Sequence, residues 1–201
     1  MQKTAKLTDT PLENLDHWFD QRFERKMAER EANHIPSMTI IATKGTMDMA
    51  YPPFILASTA AALGWDVSIF FTFYGLSLLK KDLDLKVTPL GNPAMPMKMP
   101  EGPAWLKGKE LSIPTSLMSL VPGFQSMATN MMLKTIDNKG VARIEDLRSL
   151  CIEAEVKLVA CQMTVDLFDY TKEAFIPEIE EWVGAASFLP RASKADVNLF
   201  V

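Results

Sequence analysis

Several stretches of the chain are apolar on consecutive residues rather than on alternating ones. Such runs extend from Ser37 to Thr43, from Trp65 to Phe73 and from Lys157 to Cys161. Strands that are buried on both faces of a parallel sheet show this continuous pattern, whereas half-buried antiparallel strands alternate. The pattern therefore predicts three buried parallel strands, and a last short strand is predicted within Trp182 to Leu189.

Helical segments separate these strands. The small and apolar residues from Phe54 to Leu63 follow Pro52 and Pro53, one of which suits the first turn of a helix. A further amphipathic helix is predicted from Ile144 to Val156. Strand, helix and strand in this order form a right-handed crossover between parallel strands. The sequence thus predicts a single α/β domain with a mainly parallel sheet of about five strands, flanked by helices in a flavodoxin-like arrangement.

An N-terminal helix is predicted before the first strand, from Pro11 to about Asn33. Its apolar positions recur every three or four residues, and its opposite face is charged. We expect this apolar face to pack in the subunit interface of a homo-oligomer, and packing against its own sheet is the alternative. The predicted organisation is an N-terminal segment 1–35, a domain 36–190 and a loosely held tail 191–201. The apolar positions are Leu12, Leu15, Phe19, Phe23 and Met27.

Residues 89–108 are rich in proline and glycine and predict a long loop, which is a lid, a binding loop or a disordered segment. Met95, Met97 and Met99 alternate within it, and soft thioether ligands select Cu(I). A copper site, with Cys161 as a further ligand, is one interpretation, and an adaptable packing or docking surface is the other. Residues 111–133 carry no charge, but their prolines and polar side chains make a poor membrane span, so membrane association is not favoured.

Composition restricts the function classes. The chain has 201 residues, is 48% hydrophobic and carries a formal net charge of −4. This length suits one sizeable core, and the acidic balance argues against nucleic-acid binding. The N-terminus lacks the pattern of a secretory signal, so a cytoplasmic location with reduced cysteines is expected. The two histidines, His17 and His34, assemble no zinc-type cluster, and no cofactor is predicted.

Cys161 is the strongest candidate for chemistry, because it ends a buried strand and precedes a helix. Ligands of open parallel sheets bind at the carboxyl ends of the strands, where the N-termini of the following helices point. Thr164 is predicted to be the N-cap of the new helix, with Asp166 in its first turn. Nearby N–H groups lower a thiol pKa and favour the reactive thiolate. A small buried hydrophobe is the alternative role, and the spacing leaves both open.

The stretch from Lys157 to Leu167, with the sequence KLVACQMTVDL, resembles the signature of the DsrE/DsrF-like sulfur-relay family. Ile40 to Asp48 and Gly184 to Leu189 are similar to the first and last strands of its longer subgroup, which is associated with rhodanese and TusA-type sulfur carriers. The resemblance covers residues 37–189. It implies a DsrE-like domain in which Cys161 carries sulfur as a persulfide or S-thiosulfonate.

The function implied is that of a cytoplasmic, sulfurtransferase-like sulfur carrier with a covalent cysteine intermediate. Cys161 would accept sulfane sulfur from a TusA-type or rhodanese-type protein, or from thiosulfate or tetrathionate, and pass it to a partner thiol in sulfur oxidation or trafficking. A structural or regulatory interaction subunit with an inert Cys161 is the alternative.

Further residues are expected around the carried sulfur, where they would bind its oxygens or its negative charge. They are Lys44, Gly45, Thr46, Gln162, Met163 and Thr164. Cys151 lies in the preceding helix, and strand and helix geometry places it too far from Cys161 for a disulfide without local unfolding. We expect Cys151 to belong to the core, while the resemblance keeps a resolving role open.

Overall fold

The computed structural model describes residues 12–88, 97–98, 110–111 and 122–201, with side chains over 15–88 and 122–201. The chain divides into two compact units between Ile35 and Pro36. The first unit contains helix α1 (Leu12–Ala32). The Met-rich loop, with Met95 and Met99, lies outside the described residues apart from short pieces of backbone.

The second unit is an α/β domain built on a five-stranded, fully parallel sheet with the strand order β6-β5-β2-β1-β7. This confirms the predicted fold class. A two-stranded antiparallel pair, β3 and β4, is separate from it. The elements are β1 (Ser37–Ala42), α2 (Met47–Ala62), β2 (Asp66–Phe71), a first 3₁₀ helix (Phe73–Leu79), β3 (Met97–Lys98), β4 (Glu110–Leu111), α3 (Phe124–Lys139), α4 (Ile144–Glu153), β5 (Lys157–Cys161), α5 (Gln162–Leu167), a second 3₁₀ helix (Lys172–Ala174), β6 (Glu181–Val183), α6 (Ala185–Ala192) and β7 (Val197–Phe200).

The two faces of the sheet are covered differently. Alternate strand residues such as Leu158 and Ala160 belong to the main core, to which α2 and α4 also contribute. The intervening residues Val159 and Cys161 face a smaller cluster around Phe188 of α6. The ring of Phe188 stacks on Phe70 of β2 with centroids 4.6 Å apart. Because successive strand residues point to opposite faces of the sheet, Cys161 lies on the face that is covered by this smaller cluster.

The predictions for the last strand and for the C-terminal tail are wrong. Gly184 to Leu189 was predicted to be a strand, but Gly184 precedes helix α6, and the strand at this point is the earlier β6. The last strand is β7, which pairs with β1 as Met38 opposite Val197. Residues 197–200 are therefore part of the sheet rather than a loose tail. In β7 only every second side chain packs on the core. With only four residues, this alternation is too short to predict a strand from the sequence.

Helix α2 begins earlier than predicted. It starts at Met47 rather than Phe54, so Pro52 and Pro53 lie inside it. The amides of Met49 and Ala50 donate to the Thr46 carbonyl and close the first turn before either proline is reached. In the charge-free segment, the described part of the chain forms the start of α3. No helix among the described residues is long and apolar enough to cross a membrane.

Candidate functional site

Cys161 lies at the carboxyl end of β5 and is 2% exposed. Its strand is interior in the sheet, between β2 and β6, with Ala160 opposite Phe71 and Cys161 opposite Val183. Helix α5 follows without a turn, so that Cys161 itself is the N-cap. The prediction that Thr164 caps this helix is wrong, because Thr164 is already its third residue.

Two hydroxyl groups meet beside the thiol. The Thr164 side chain is fully buried, and its Oγ1 lies 3.3 Å from Oγ1 of Thr72, the residue that follows β2. Phe73 donates its backbone N–H to Thr164 Oγ1 at 3.0 Å. Phe73 has φ 48°, in the left-handed region that residues other than glycine rarely adopt. Since that amide occupies one acceptor position of Thr164, the Thr164 proton remains available to a neighbouring acceptor.

The thiol of Cys161 is acidified by these neighbours. Burial by itself raises the pKa of the Cys161 thiol. Hydrogen bonds from the side chains of Thr164 and Thr72, and from the backbone N–H groups of Thr164 and Met163, outweigh burial and place this pKa below the ordinary thiol value. Helix α5 has six residues, so these local donors, rather than a long helix dipole, stabilise the thiolate.

The first 3₁₀ helix, which positions Thr72 and Phe73, is fixed by two close backbone contacts with the end of β1. A Cβ on Gly75 would lie 2.2 Å from the Ala42 carbonyl oxygen, and one on Gly45 would lie 2.2 Å from the Tyr74 carbonyl oxygen. Only glycine permits these approaches. At the other end of the helix, Arg148 of α4 donates to the carbonyls of Leu78 and Lys80 at 3.1 and 2.7 Å.

The sequence-predicted residues of the first strand's loop have other surroundings. Gly45 packs against the 3₁₀ helix, Lys44 is exposed, and Thr46 precedes α2. Because β2 lies between β1 and β5, this loop follows a strand about 10 Å from that of Cys161, at strand spacings of about 4.8 Å. The residues share the sheet edge with the thiol, and their contact with a carried sulfur stays a prediction.

Helix α5 supplies the closer predicted residues. Met163 and Thr164 both contribute to the thiol environment. The Gln162 side chain instead donates to Asp166 Oδ1 at 2.7 Å. Thr72 was not among the predicted site residues. Its position directly after a buried strand gives the signal that would have found it, since neighbouring parallel strands end at the same edge.

Cys151 has the opposite environment from Cys161. It is fully buried in the main core, on the other face of the sheet, and its thiol donates to the Phe54 carbonyl at 3.5 Å. Burial raises the pKa of the Cys151 thiol to about 12, and a backbone hydrogen bond from Ser58 only partly offsets this. The two thiols therefore face different cores, and Cys151 remains protonated at neutral pH.

Exposed apolar side chains lie on the two chain segments that supply the hydroxyl and amide groups beside Cys161. They come from the start of the first 3₁₀ helix and from α5 and the residue after it, and the rings of Tyr74 and Phe168 are 6.1 Å apart. This apolar rim consists of Phe73, Tyr74, Met163, Leu167 and Phe168. The segments that follow β2 and β5 thus carry exposed apolar side chains, and such surfaces are typical of sites where another protein packs.

The fold, the strand-end cysteine and the residues around it define the class of the protein. The model of the DsrE/DsrF/DrsH-like family matches residues 34–200, and the chain belongs to this family.

Two similar proteins narrow the comparison. The sulfur carrier protein DsrE2 of Allochromatium vinosum is 56% identical over 164 residues, which cover 82% of this chain and 97% of that protein. The uncharacterized protein YrkE of Bacillus subtilis is 29% identical over 164 residues, which cover 81% of this chain and 95% of that protein.

Proposed function

We propose that this protein is a sulfur carrier that holds sulfane sulfur on Cys161, as a persulfide or S-thiosulfonate, and transfers it to a thiol of a partner protein. The observation that carries the proposal is the acidified Cys161 thiol at the carboxyl edge of the sheet. The relative at 56% identity is named as a sulfur carrier, which supports the same role here. A thiolate is the nucleophile that such a transfer requires.

Loading is a displacement at sulfur. The Cys161 thiolate attacks the sulfane sulfur of a donor persulfide, a new S–S bond forms as the donor S–S bond breaks, and the donor thiolate leaves with the electron pair. With thiosulfate, sulfite leaves and Cys161 becomes a persulfide. With tetrathionate, thiosulfate leaves and Cys161 becomes an S-thiosulfonate. Charge and electrons balance in each case, so no separate oxidant is required.

Delivery reverses the roles. A partner thiolate attacks the sulfane sulfur that is bonded to Cys161 Sγ; the new S–S bond forms as the bond to Sγ breaks, and the Cys161 thiolate leaves with the electron pair. Because a thiolate with a lower pKa leaves faster, the hydroxyls of Thr72 and Thr164 assist release as well as loading. The S-thiosulfonate carries a further negative charge on its oxygens, and Lys44, with the loop residues Gly45 and Thr46, is proposed to bind it from the neighbouring part of the edge.

The proposed partners are TusA-type or rhodanese-type proteins in the cytoplasm, with thiosulfate or tetrathionate as small-molecule donors. The apolar rim supports a protein partner, because Tyr74, Met163 and Leu167 offer exposed apolar contact area on the segments that follow β2 and β5. On this account the chain is a sulfurtransferase-like carrier.

A non-catalytic interaction subunit is the second candidate, and one observation favours it. Cys161 is 2% exposed, and inert structural cysteines are buried. The two functions differ in thiol reactivity. A carrier reacts with iodoacetamide at neutral pH at least as fast as a free cysteine peptide, whereas an inert subunit reacts many times more slowly.

The experiment that tests the proposed function follows one sulfur atom through loading and delivery. Full-length reduced protein is loaded with tetrathionate or a low-molecular-weight persulfide, freed of reagent, and mixed with a TusA-type protein. Intact-protein mass is recorded for both chains. The proposal predicts that the added mass disappears from this protein and that sulfur appears on the acceptor. Loading without any delivery to thiol proteins would contradict the carrier role.

A further inference from the structure

Helix α1 carries an apolar stripe of Leu15, Phe19, Phe23 and Met27. Phe19 is 60% and Phe23 is 56% exposed, and their rings stack with centroids 6.2 Å apart. The family match begins at residue 34, and the A. vinosum relative is already covered over 97% of its length. Helix α1 thus precedes the residues that the family model matches, and its apolar surface is not explained by the site around Cys161.

The four apolar side chains Leu15, Phe19, Phe23 and Met27 are spaced symmetrically along the helix. Around Gln21 as centre, Leu15 and Met27 are six positions away on either side, and Phe19 and Phe23 are two positions away. When two such helices pack antiparallel about a two-fold axis at Gln21, Leu15 faces Met27 of the second copy, and Phe19 faces Phe23. An isologous interface of this kind needs a self-complementary surface.

Charges on the same face fit the antiparallel arrangement. At 100° per residue, Asp16 lies about 20° from Phe23 and Lys26 lies about 20° from Leu15 around the helix axis. Both are five positions from Gln21, so Asp16 meets Lys26 of the second copy, twice per dimer. A parallel pair in register would instead oppose Asp16 to Asp16 and Lys26 to Lys26.

The ion pair that Lys26 forms with Glu29 in its own helix is too weak to prevent the contact of Lys26 with Asp16 of the second copy. Lys26 Nζ lies 3.7 Å from Glu29 Oε2, and both side chains are mostly exposed. Exposed pairs of this kind contribute little. A helix of 21 residues is about 30 Å long, which gives the stripe room for a pairwise interface.

We propose that α1 is a self-association helix that pairs antiparallel with α1 of a second copy of the chain, centred on Gln21. The partner is identified by the symmetric spacing of the apolar side chains and by the opposite charges at Asp16 and Lys26. This assembly is independent of the chemistry at Cys161.

A charge exchange tests the proposal by sedimentation equilibrium of the full-length reduced protein at low salt. Asp16→Lys alone places two like-charged contacts in the dimer and is expected to weaken association roughly tenfold, and Lys26→Asp is expected to do the same. The double exchange restores both attractive contacts and brings the association constant back to within about threefold of the original. A double exchange that is as weak as the singles, or no association by wild-type protein, overturns the proposal.

The apolar contacts have a matched pair of variants. The double substitution Phe19→Ser and Phe23→Ser is expected to abolish the self-association that sedimentation equilibrium measures in the charge-exchange experiment. Gln21→Ser, on the opposite face, leaves it in place. An unchanged association constant in the double serine variant would show that the stripe is not the interface.

A cross-linking experiment reports the direction of the helices. In a Cys161→Ser background, Leu15→Cys with Met27→Cys in one chain is expected to give covalent dimers with a short bis-maleimide cross-linker, because the two positions lie at the same level on either side of the interface, farther apart than a direct disulfide spans. Each single cysteine gives none, and the background alone is the control. Efficient dimers from Leu15→Cys alone would demonstrate parallel pairing and overturn the proposal.

Discussion

The hydroxyls of Thr72 and Thr164 lie 3.3 Å apart although 92 positions separate the two residues in the chain. Sheet order explains the approach, because Thr72 follows β2 and Thr164 follows β5, and these strands are neighbours. Both side chains lower the pKa of Cys161. The reactivity of one thiol therefore depends on a contact between two strand ends.

Thr164→Val removes one hydroxyl donor and keeps the shape of the side chain. The thiolate loses a charge-assisted hydrogen bond, so alkylation of Cys161 at pH 7 is expected to slow by roughly tenfold. The alkylation rate of the wild type rises with pH and levels off at a midpoint below that of an ordinary thiol, and the variant midpoint moves upward. Stopped-flow alkylation across a pH series measures both effects.

Two further variants separate this effect from loss of stability. Thr164→Val also leaves the Phe73 amide without its acceptor, which costs about 1–3 kcal/mol. Thr164→Ser retains the hydroxyl and should preserve the pH profile. Thr72→Val removes a donor without affecting Phe73, and it should also raise the midpoint. A wild-type profile in Thr72→Val and Thr164→Val alike would contradict the role of the hydroxyl pair.

Gly75→Ala tests the close contact that positions the first 3₁₀ helix. The new Cβ would lie 2.2 Å from the Ala42 carbonyl oxygen, so the backbone must shift and the free energy of unfolding is expected to fall by more than ~2 kcal/mol. The displaced Thr72 also makes Cys161 less reactive. Urea denaturation measures the stability.

Gly184→Ala is the matched control for that substitution. No atom lies within 4 Å of a Cβ at Gly184, and its φ of −86° suits any residue. The free energy of unfolding should change by less than about 0.5 kcal/mol. Equal tolerance of alanine at Gly75 and Gly184 would show that the contact with β1 is dispensable.

Cys151→Ala should preserve sulfur loading and reduce stability by about 1–2 kcal/mol at neutral pH, because it removes a buried side chain. The loss should shrink in alkaline solution. The folded Cys151 has its pKa raised to about 12, above the unfolded value of about 8.5. Its contribution is complete below the unfolded pKa and is lost as the pH rises toward the folded pKa. Urea denaturation between about pH 7 and 10 measures the difference in free energy of unfolding between the wild type and Cys151→Ala, which should narrow as the pH rises. A difference that does not change with pH would contradict this prediction.

Much of the sheet could be predicted from the sequence, because its interior strands are buried on both faces and read as continuous apolar runs. This holds for β1, β2 and β5, and it correctly located Cys161 at a strand end. The edge strand β7 has one partly buried side chain in two over four residues, which is too short a signal. Residues 184–189 are apolar enough to suggest a strand. Instead, the residues after Gly184 form helix α6, and Phe188 of this helix packs in the smaller cluster with Cys161.

The site could be predicted only where its residues follow one another in the chain. Met163 and Thr164 closely follow Cys161 in the chain and were predicted as site residues, although Thr164 is not the N-cap that it was predicted to be. Thr72 and the backbone of Phe73 reach the site through the order of strands, which is a nonlocal property. Helix α5 has no side-chain hydrogen bond at its N-cap Cys161, and the Thr164 hydroxyl contacts Thr72 and Phe73 after β2.

The central claim is that Sγ of Cys161 carries the transferred sulfur. The most direct test is the intact-protein mass of the reduced full-length chain, before and after incubation with tetrathionate or a small persulfide. Peptide mapping locates the adduct, and Cys161→Ser and Cys151→Ala are treated in parallel. The account predicts a gain of about 112 Da or about 32 Da, reversible by dithiothreitol. The gain maps to Cys161, is absent from Cys161→Ser and persists in Cys151→Ala. Full loading of Cys161→Ser, or a folded wild-type protein that takes up no sulfur, would contradict it.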